Sequence, residues 1–380
     1  MIWRRGVKKI VVSLLVFFGL QCSSFAQTSV TLYGIISVGV GWVNNEGGAS
    51  NYKMLSGANQ NTRFGFKIVE DLGGGNRAIS QLENGFDITS GKLQQGGRLF
   101  GRLAYVGLSN DDFGTVTLGR QYDMFWDYFT PLVAASATNG LAAHPGDADN
   151  LMGSWRYSNS VKYVSPTVKG ITAEALYAFS NAADAFSVNR AFSAGIGYEN
   201  GPLKIAAAYV QLDRPGLVNA SGAVSDDYAS APFFLFRTSP LNKTVGVDRQ
   251  RNFGVGGRYD FADLRWNVLV DRVQFSYLDG TTLHLTNYDT SLSYRISPAL
   301  VIGAAYIYTQ GKYGGSLSAS SHWNTGQISV DYLLSKRTDI CLFDSIQWAT
   351  GQYAVADIYG NSPSTSRNQN VLMGSIRHKF

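Results

Sequence analysis

Two sets of charged side chains carry the chemistry that this sequence offers. Segment 122–154 contains no lysine or arginine but includes four aspartates, Asp123, Asp127, Asp147 and Asp149. Basic residues recur before and after this segment, among them Arg63, Lys67, Arg102 and Arg156. Opposite charges held on facing surfaces create an electric field, and such a field can orient polar solutes and filter ions by charge.

The residue types used by common enzymes are not arranged in their usual motifs. The four histidines, His144, His284, His322 and His378, are far apart, and none lies in a metal-binding motif such as H-E-x-x-H. The sequence also lacks the G-x-S-x-G motif of serine hydrolases. We therefore expect no enzyme activity, no cofactor and no metal ion. A membrane-embedded lipase that uses Ser and His is the enzyme alternative that motifs leave open.

The N-terminus has the pattern of a secretory signal. Four basic residues, Arg4, Arg5, Lys8 and Lys9, precede an apolar run of eleven residues, and small residues follow at Ser24 and Ala26. This run is too short to span a membrane, so we predict a signal peptide over 1–26 and one mature domain over 27–380. Without the signal, 28 basic and 27 acidic residues remain. The charge balance thus gives no support for a nucleic-acid partner.

The elements that must position the charges are β-strands. Apolar and polar residues alternate from Val30 to Trp42, and this period of two is typical of a strand with one apolar face. The same pattern recurs in fifteen later segments, including 62–70, 77–86, 98–109, 115–121 and 371–380. The sequence therefore predicts an all-β fold of sixteen strands.

The lengths of the connections indicate how the strands are arranged. Seven short turns, such as 71–75 and 297–298, alternate with longer segments, such as 122–155 and 213–251. Short turns at one rim and long loops at the other are typical of an antiparallel outer-membrane β-barrel, with the short turns on the periplasmic side. We therefore predict a multi-pass protein of the Gram-negative outer membrane.

The cost of placing charge in lipid predicts which side chains face inward. An Arg or Lys facing lipid at mid-membrane costs about 2–4 kcal/mol, so the basic parity of each strand should face the lumen. This rule places Leu103 and Tyr105 on the lipid side. It places the following residues in the lumen: Arg63, Lys67, Glu83, Arg98, Arg102, Arg120, Arg156 and Lys162. A barrel of sixteen strands leaves a water-filled channel rather than a packed core.

The acidic segment also carries aromatic residues that would be unusual in a loop exposed to water. They are Phe125, Trp126, Tyr128 and Phe129. The inner barrel wall is the nearest surface against which these rings could pack. We therefore expect the loop to fold into the lumen, with Asp123 and Asp127 opposite the lumenal arginines. An acidic surface loop packed on a neighbouring chain is the alternative.

Several motifs resemble those of the general porins of β-proteobacteria. They are Val30-Thr31-Leu32-Tyr33-Gly34, Arg63-Phe64-Gly65-Phe66-Lys67, Phe113-Gly114-Thr115-Val116-Thr117-Leu118-Gly119-Arg120-Gln121-Tyr122-Asp123 and Asn159-Ser160-Val161-Lys162-Tyr163. The resemblance covers the whole mature chain and departs from the family at Ile68-Val69, where Gly-Thr is usual, and in the long segment 213–251. It implies a homotrimer of sixteen-stranded barrels whose third long loop folds inward. It also implies that Arg63, Arg102 and Arg156 form the basic wall of a constriction, and that Phe380 resembles the signal read by the barrel-assembly machinery.

These features predict a passive diffusion channel for ions and small hydrophilic solutes. Its expected surroundings are the lipid bilayer and the lipopolysaccharide of the outer membrane. A surface receptor or adhesin is the alternative function, and it would use exposed aromatic residues between Tyr228 and Phe236. A separate plug domain is not expected, because the chain has no additional segment of about 100 residues to form one.

Overall fold

The computed structural model describes residues 28–380 except 218, 225–226 and 229–233, so the predicted signal peptide lies outside the described residues. The described chain forms seventeen strands. They are β1 (Thr28–Glu46), β2 (Ala49–Ser56), β3 (Arg63–Gly73), β4 (Asn76–Gly85), β5 (Leu103–Asn110), β6 (Gly114–Gln121), β7 (Tyr157–Val164), β8 (Ile171–Ala178), β9 (Arg190–Asn200), β10 (Leu203–Asp213), β11 (Val247–Phe261), β12 (Leu264–Tyr277), β13 (Thr282–Ser297), β14 (Leu300–Gly314), β15 (Ala319–Leu333), β16 (Thr338–Gly351) and β17 (Asn368–Lys379).

The strands close into one antiparallel barrel. Each strand pairs with its neighbours along the chain, except that β2 and β3 both pair with β1, and β17 returns to pair with β1. The last residue completes the closure, since Phe380 and Gly34 exchange backbone hydrogen bonds of 3.0 Å in both directions. Strands β2 and β3 pair with successive parts of β1 and act as one interrupted strand. The predicted sixteen-stranded barrel is therefore confirmed. Within the described residues, no helix has the length and apolarity needed to cross a membrane.

The outer surface of the barrel is apolar. Leu32, Val106 and Ile328 point outward and are 57–64% exposed. Inward-facing polar residues such as Asn252 and Gln347 are fully buried. Apolar surface on this scale is unfavourable in water but suits a strand that faces lipid.

One predicted orientation is wrong. The strand expected over 98–109 begins only at Leu103, and Arg98 and Arg102 lie in the connection before it. Leu103 pairs with the lumen-facing Glu83, and Tyr105 donates a hydrogen bond to Gln81 Oε1 at 2.8 Å. Leu103 and Tyr105 therefore face the lumen rather than lipid. The inward and outward alternation of side chains holds only within a strand. It cannot be extended from Arg102 to Leu103, because the backbone before Leu103 is irregular.

The connection between β6 and β7 lies inside the barrel. It contains α1 (Met124–Phe129), α2 (Ala134–Ala137) and a 3₁₀ turn (Pro145–Asp147). The α1 helix packs against β9, β10 and β11. Glycine makes room for it on the wall, because a Cβ atom at Gly195 would lie only 2.6 Å from a ring carbon of Tyr128. We refer to residues 122–156 as the inward loop.

Two other connections enter the outer mouth of the barrel. In segment 214–246, Arg237 lies 4.4 Å above the ring of Trp155 in the inward loop. In segment 352–367, Val355 accepts a hydrogen bond of 2.8 Å from Trp323 Nε1 of β15. Tyr228 and Phe236 are only 2% and 4% exposed, so the expectation that they are exposed on the surface is wrong. The rings pack against lumenal aromatic residues instead, which removes them from water.

Candidate pore constriction

Three side chains of the predicted constriction form one cluster. Glu83 of β4 lies between Arg63 of β3 and Arg102, with 3.4 Å from Arg63 Nε to Glu83 Oε2 and 2.6 Å from Arg102 Nε to Glu83 Oε1. Tyr33 of β1 also donates to Glu83 Oε2 at 2.8 Å. Two guanidinium groups share one carboxylate, so the cluster carries a net positive charge.

This cluster lies between two lumenal cavities. A cavity of about 510 Å³ lies on the side lined by Lys67 and Lys162, and a smaller one of about 140 Å³ lies on the side lined by Tyr359. Arg63, Arg102 and Trp126 line both cavities. Trp126 belongs to α1, so the wall and the inward loop meet at this point.

Arg156 lies beside the cluster, where the inward loop joins β7. Its guanidinium group lies 4.8 Å from the centre of the Tyr122 ring, which in turn stacks on Trp126 at 3.8 Å. Arg156 is 1% exposed, and its Nε and Nη2 atoms have no hydrogen-bond partner among the described residues. The stacked rings thus hold a cation close to the constriction.

Arg98 and Arg120 point to the outer part of the lumen. Both pair with Asp227 of segment 214–246, Arg98 through Nη1 at 2.9 Å and Arg120 through Nη2. Arg120 also donates to the Gly101 carbonyl at 2.8 Å. The partner of these arginines is therefore an aspartate of another long loop.

Asp127 and Lys67 face the larger cavity. Asp127 forms an ion pair with Lys162 of β7, and Lys162 lies 3.6 Å from Glu174 of β8. Lys67 lies 5.2 Å from the centre of the Tyr33 ring. The expected opposition of Asp127 and the arginines is thus indirect, because its closest cation is Lys162.

Asp123 does not face the arginines across open space. It is 1% exposed and caps the N-terminus of α1, where its carboxylate accepts a hydrogen bond of 2.9 Å from the Trp126 amide. Burial raises its pKa to about 6, although hydrogen bonds from Tyr157 and Trp126 act in the opposite direction. The prediction for Asp123 is therefore corrected: its position favours a capping role, since aspartate is among the best N-cap residues.

A buried charge cluster anchors the inward loop to the opposite wall. His144 Nδ1 pairs with Asp149 and lies 3.3 Å from Asp271 Oδ2, while its Nε2 lies 3.3 Å from Asp289 Oδ2. Burial would lower the pKa of His144, but the neighbouring carboxylates outweigh it and hold the pKa well above its ordinary value. The ligand atoms of His144, Asp149 and Asp271 lie within 4.8 Å of one another, a spacing that a metal ion could also use. The imidazolium ion bridges these carboxylates.

Polar side chains of the wall bind the backbone of the inward loop. Gln327 Oε1 accepts hydrogen bonds from the amides of Leu141 and Ala142 at 2.9 and 2.8 Å. Asp289 Oδ2 accepts another from Ala134 at 2.9 Å. These contacts satisfy backbone groups that would otherwise be buried without a partner.

Three residues at this site were not among the predicted constriction residues. Lys162 has the inward parity of its strand, and this signal was sufficient to identify it. Asp227 and Tyr359 come from long connections without any periodic pattern. Their positions near the arginines could not be predicted, because the conformation of a long loop does not follow from its local sequence.

Comparison with known proteins assigns the chain to a family. The family model described as Gram-negative porin matches residues 12–343. The chain belongs to this family. It is 33% identical over 299 residues to an outer membrane porin protein of Bordetella pertussis, covering 72% of this chain and 71% of the relative. It is 26% identical to outer membrane porin protein 32 of Delftia acidovorans, covering 98% of this chain and all of the relative.

The structure is similar to that of a solved porin. The anion-selective porin from Comamonas acidovorans matches with a TM-score of 0.75 and 23% identity, over 93% of this chain and all of that chain. The chain is therefore a multi-pass β-barrel of the Gram-negative outer membrane, and its family forms passive diffusion channels.

Proposed function

We propose that the protein is a diffusion channel whose selectivity is set by a charged constriction. Its basic wall consists of Arg63, Lys67, Arg102 and Arg156, and its loop contributes Asp127. The observation that carries the proposal is the position of Arg63 and Arg102, which line both lumenal cavities opposite Trp126. A solute that passes from one cavity to the other must pass these guanidinium groups.

The balance of charge favours anions. Lys162, Arg98 and Arg120 add to the basic wall, while Glu83, Asp127, Glu174 and Asp227 are its acidic partners. The basic groups outnumber the acidic groups, and charge rings of one sign attract counter-ions into a pore. The related structure from Comamonas acidovorans is named an anion-selective porin, which agrees with this sign.

Conductance measurements in planar lipid bilayers test whether the protein forms an open, anion-selective channel. We expect repeated steps of steady current that rise linearly with voltage, and a reversal potential under a salt gradient that indicates preference for anions. Absence of steps in repeated insertions would contradict a diffusion channel and would favour the receptor or adhesin alternative.

We also propose that the working unit is a homotrimer that packs through β1. Gly34, Val38 and Val40 share its outward face, where the Phe380 ring packs over Gly34. This apolar face can pack against a second barrel. Chemical cross-linking in mild detergent should give trimers. If it gave only monomers, this assembly would be contradicted.

We also infer how the protein is exported and inserted into the membrane. We propose that residues 1–26 are removed as a signal peptide and that Phe380 is read by the barrel-assembly machinery. The Phe380 ring is 40% exposed on the lipid side, where another protein can reach it before closure is complete. Deleting Phe380 should reduce the amount of folded barrel in the outer membrane, measured by heat-dependent gel mobility.

A further inference from the structure

Apolar side chains line part of the lumen beside the constriction. Ile79 of β4 and Val164 of β7 have the inward parity of their strands, and both line the cavity of about 510 Å³. Leu103 and Tyr105 of β5 line the same cavity. None of the four side chains is fully buried, so their apolar surface reaches the cavity. We call Ile79, Leu103, Tyr105 and Val164 the apolar patch.

The members of the apolar patch lie together on the wall. Gln81 lies opposite Tyr105 in the pairing of β4 with β5, and Ile79 is the next inward residue of β4 toward the short-turn rim. Leu103 is the next inward residue of β5 on the other side of Tyr105, and Val164 reaches the same cavity from β7. The inner wall of a water-filled barrel is normally polar. A continuous apolar surface at this place therefore offers contact to the apolar part of a solute.

Hydrogen bonds fix two tyrosine rings at the edge of the cavity. Tyr105 donates to Gln81 Oε1 at 2.8 Å, and Gln81 Nε2 donates to the Tyr33 hydroxyl at 2.5 Å. Tyr33 donates in turn to Glu83 Oε2 at 2.8 Å. The two hydroxyl groups thus have their partners within the wall, and the rings are held in place. Rings held in this way pair favourably with an aromatic group of a ligand.

A cation without an acidic partner lies next to the apolar patch. Lys67 of β3 lines the cavity, and its Nζ atom lies 5.2 Å from the centre of the Tyr33 ring. The two acids that line the cavity have other partners, since Glu83 pairs with arginines and Asp127 pairs with Lys162. Among the described residues that line this cavity, Lys67 is therefore the cation whose charge no carboxylate offsets. An ammonium group in this state suits a carboxylate ligand.

We propose that this cavity binds aromatic monocarboxylates, with the carboxylate on Lys67 and the ring on the apolar patch. Lys67 lies opposite Gln81, so Lys67 and Ile79 are diagonal neighbours whose Cα atoms lie about 7–8 Å apart. This span is on the scale of a benzoate ion, which has a charged end and an apolar end. A small polar anion would use the cation alone. The inference rests on the proposed channel function and names the class of solute that the channel favours.

Block of the potassium chloride current in planar bilayers tests the site on the intact barrel. The probes are benzoate and glycerate, which carry the same charge but differ in the aromatic ring. We expect benzoate to block the wild-type channel at concentrations at least about tenfold lower than glycerate, because the ring adds apolar contact that glycerate cannot make. The variant Ile79→Thr/Leu103→Thr should lose this preference, and Lys67→Gln should weaken block by both anions.

The control variant is Val301→Thr, which makes the same kind of substitution on the inward face of β14, away from this cavity. It should keep both the benzoate preference and the wild-type conductance. Equal block by both anions in a wild-type channel that conducts chloride would overturn the site and leave the diffusion channel intact. An unchanged preference in Ile79→Thr/Leu103→Thr would also overturn the site, and Ile79→Thr alone replaces this variant if it does not fold.

A binding measurement separates the site from conduction. If the barrel gave no current, the proposed channel function would fail, and saturation-transfer NMR would still measure binding of benzoate and glycerate to the detergent-solubilised protein. We expect a stronger signal from benzoate in the wild-type protein than in Ile79→Thr/Leu103→Thr. Equal signals in these two proteins would contradict the site.

Discussion

The lumenal surface of the barrel has two unlike halves. The first, which we call the charged wall, extends from β1 to β5 and presents Arg63, Lys67 and Glu83 to an open cavity. The second, the covered wall, extends from β9 to β16 and lies under the loops. Its inward side chains include Asn252, Asn287, Gln327 and Gln347, each no more than 3% exposed.

The difference shows how residue type decides what lies against a barrel wall. A buried amide can satisfy a backbone group without bringing net charge out of water, and Gln347 Oε1 does so for the Asp357 amide at 2.6 Å. Arg63 and Lys67 of the charged wall instead border a cavity of about 510 Å³. Position along the barrel thus separates a surface that lines an open cavity from a surface that holds loops.

The largest effect on stability should come from His144, the cation of the buried charge cluster on the covered wall. We expect His144→Ala to leave Asp149, Asp271 and Asp289 without their imidazolium partner, which should cost about 3–5 kcal/mol of unfolding free energy. Thermal unfolding in detergent measures this loss, and noisier single-channel currents should accompany it. The control is His322→Ala on the lipid-facing side of β15. Equal stability of both variants would contradict the anchoring role.

The same cluster predicts a loss of stability at alkaline pH. The pKa of His144 is raised well above its ordinary value near 6.5 in the folded protein. Its stabilising contribution is therefore fully present below pH 6.5 and is lost as the pH rises through the higher folded value. Unfolding temperatures measured across this range should fall in the wild-type protein. His144→Gln should lack this part of the pH dependence. If the variant and the wild-type protein gave the same profile, His144 would not be the titrating group.

Glycine on the covered wall offers a smaller and more local test. Gly195→Val should push Tyr128 and α1 away from the wall, because a Cβ atom there lies within 3 Å of the ring. Overpacking of this kind costs about 1–3 kcal/mol. Gly374→Val on β17 is the matched control, since a Cβ atom at Gly374 has no neighbour within 4 Å. The denaturant midpoints of unfolding compare the two variants. Equal losses of stability would show that valine affects the strand itself and not its contact with α1.

The two aspartates at the start of the inward loop should differ in their effects on ion selectivity. Asp127→Asn should shift the reversal potential toward anions, because Asp127 faces the cavity. A unit charge about 4 Å from a passing ion contributes about 1 kcal/mol in water, or about a fivefold change in permeability ratio. Asp123→Asn should have almost no effect, since its carboxylate is buried and asparagine also caps helices well. A shift of equal size in both variants would contradict the capping role.

The charged wall was predictable from sequence to a large extent, whereas the covered wall was not. Strand alternation and the cost of charge in lipid identified the strands and the inward positions of Arg63, Lys67 and Glu83. The rule failed at Leu103 and Tyr105, because the strand begins later than the pattern suggested. Asp123 was misplaced because a helix start was not recognised within the loop.

The contacts of the covered wall arise between segments that are distant in sequence. Gln327 meets Leu141 across 186 residues, and Gln250 meets Ala148 across 102. No periodicity or motif in either segment predicts such a contact. The buried amides on the inward face were nevertheless visible in the sequence, and they are a signal that future interpretations of such barrels can use.

The reversal potential under a tenfold gradient of potassium chloride tests the central claim most directly. It should be measured for the wild-type channel, for Arg63→Gln/Arg102→Gln, and for Lys336→Gln/Arg337→Gln as a control with the same change of charge. The charged wall predicts an anion preference in the wild-type and control channels and a shift toward cations in the Arg63→Gln/Arg102→Gln channel. If all three channels gave the same reversal potential, the charged wall would not set the selectivity of this porin.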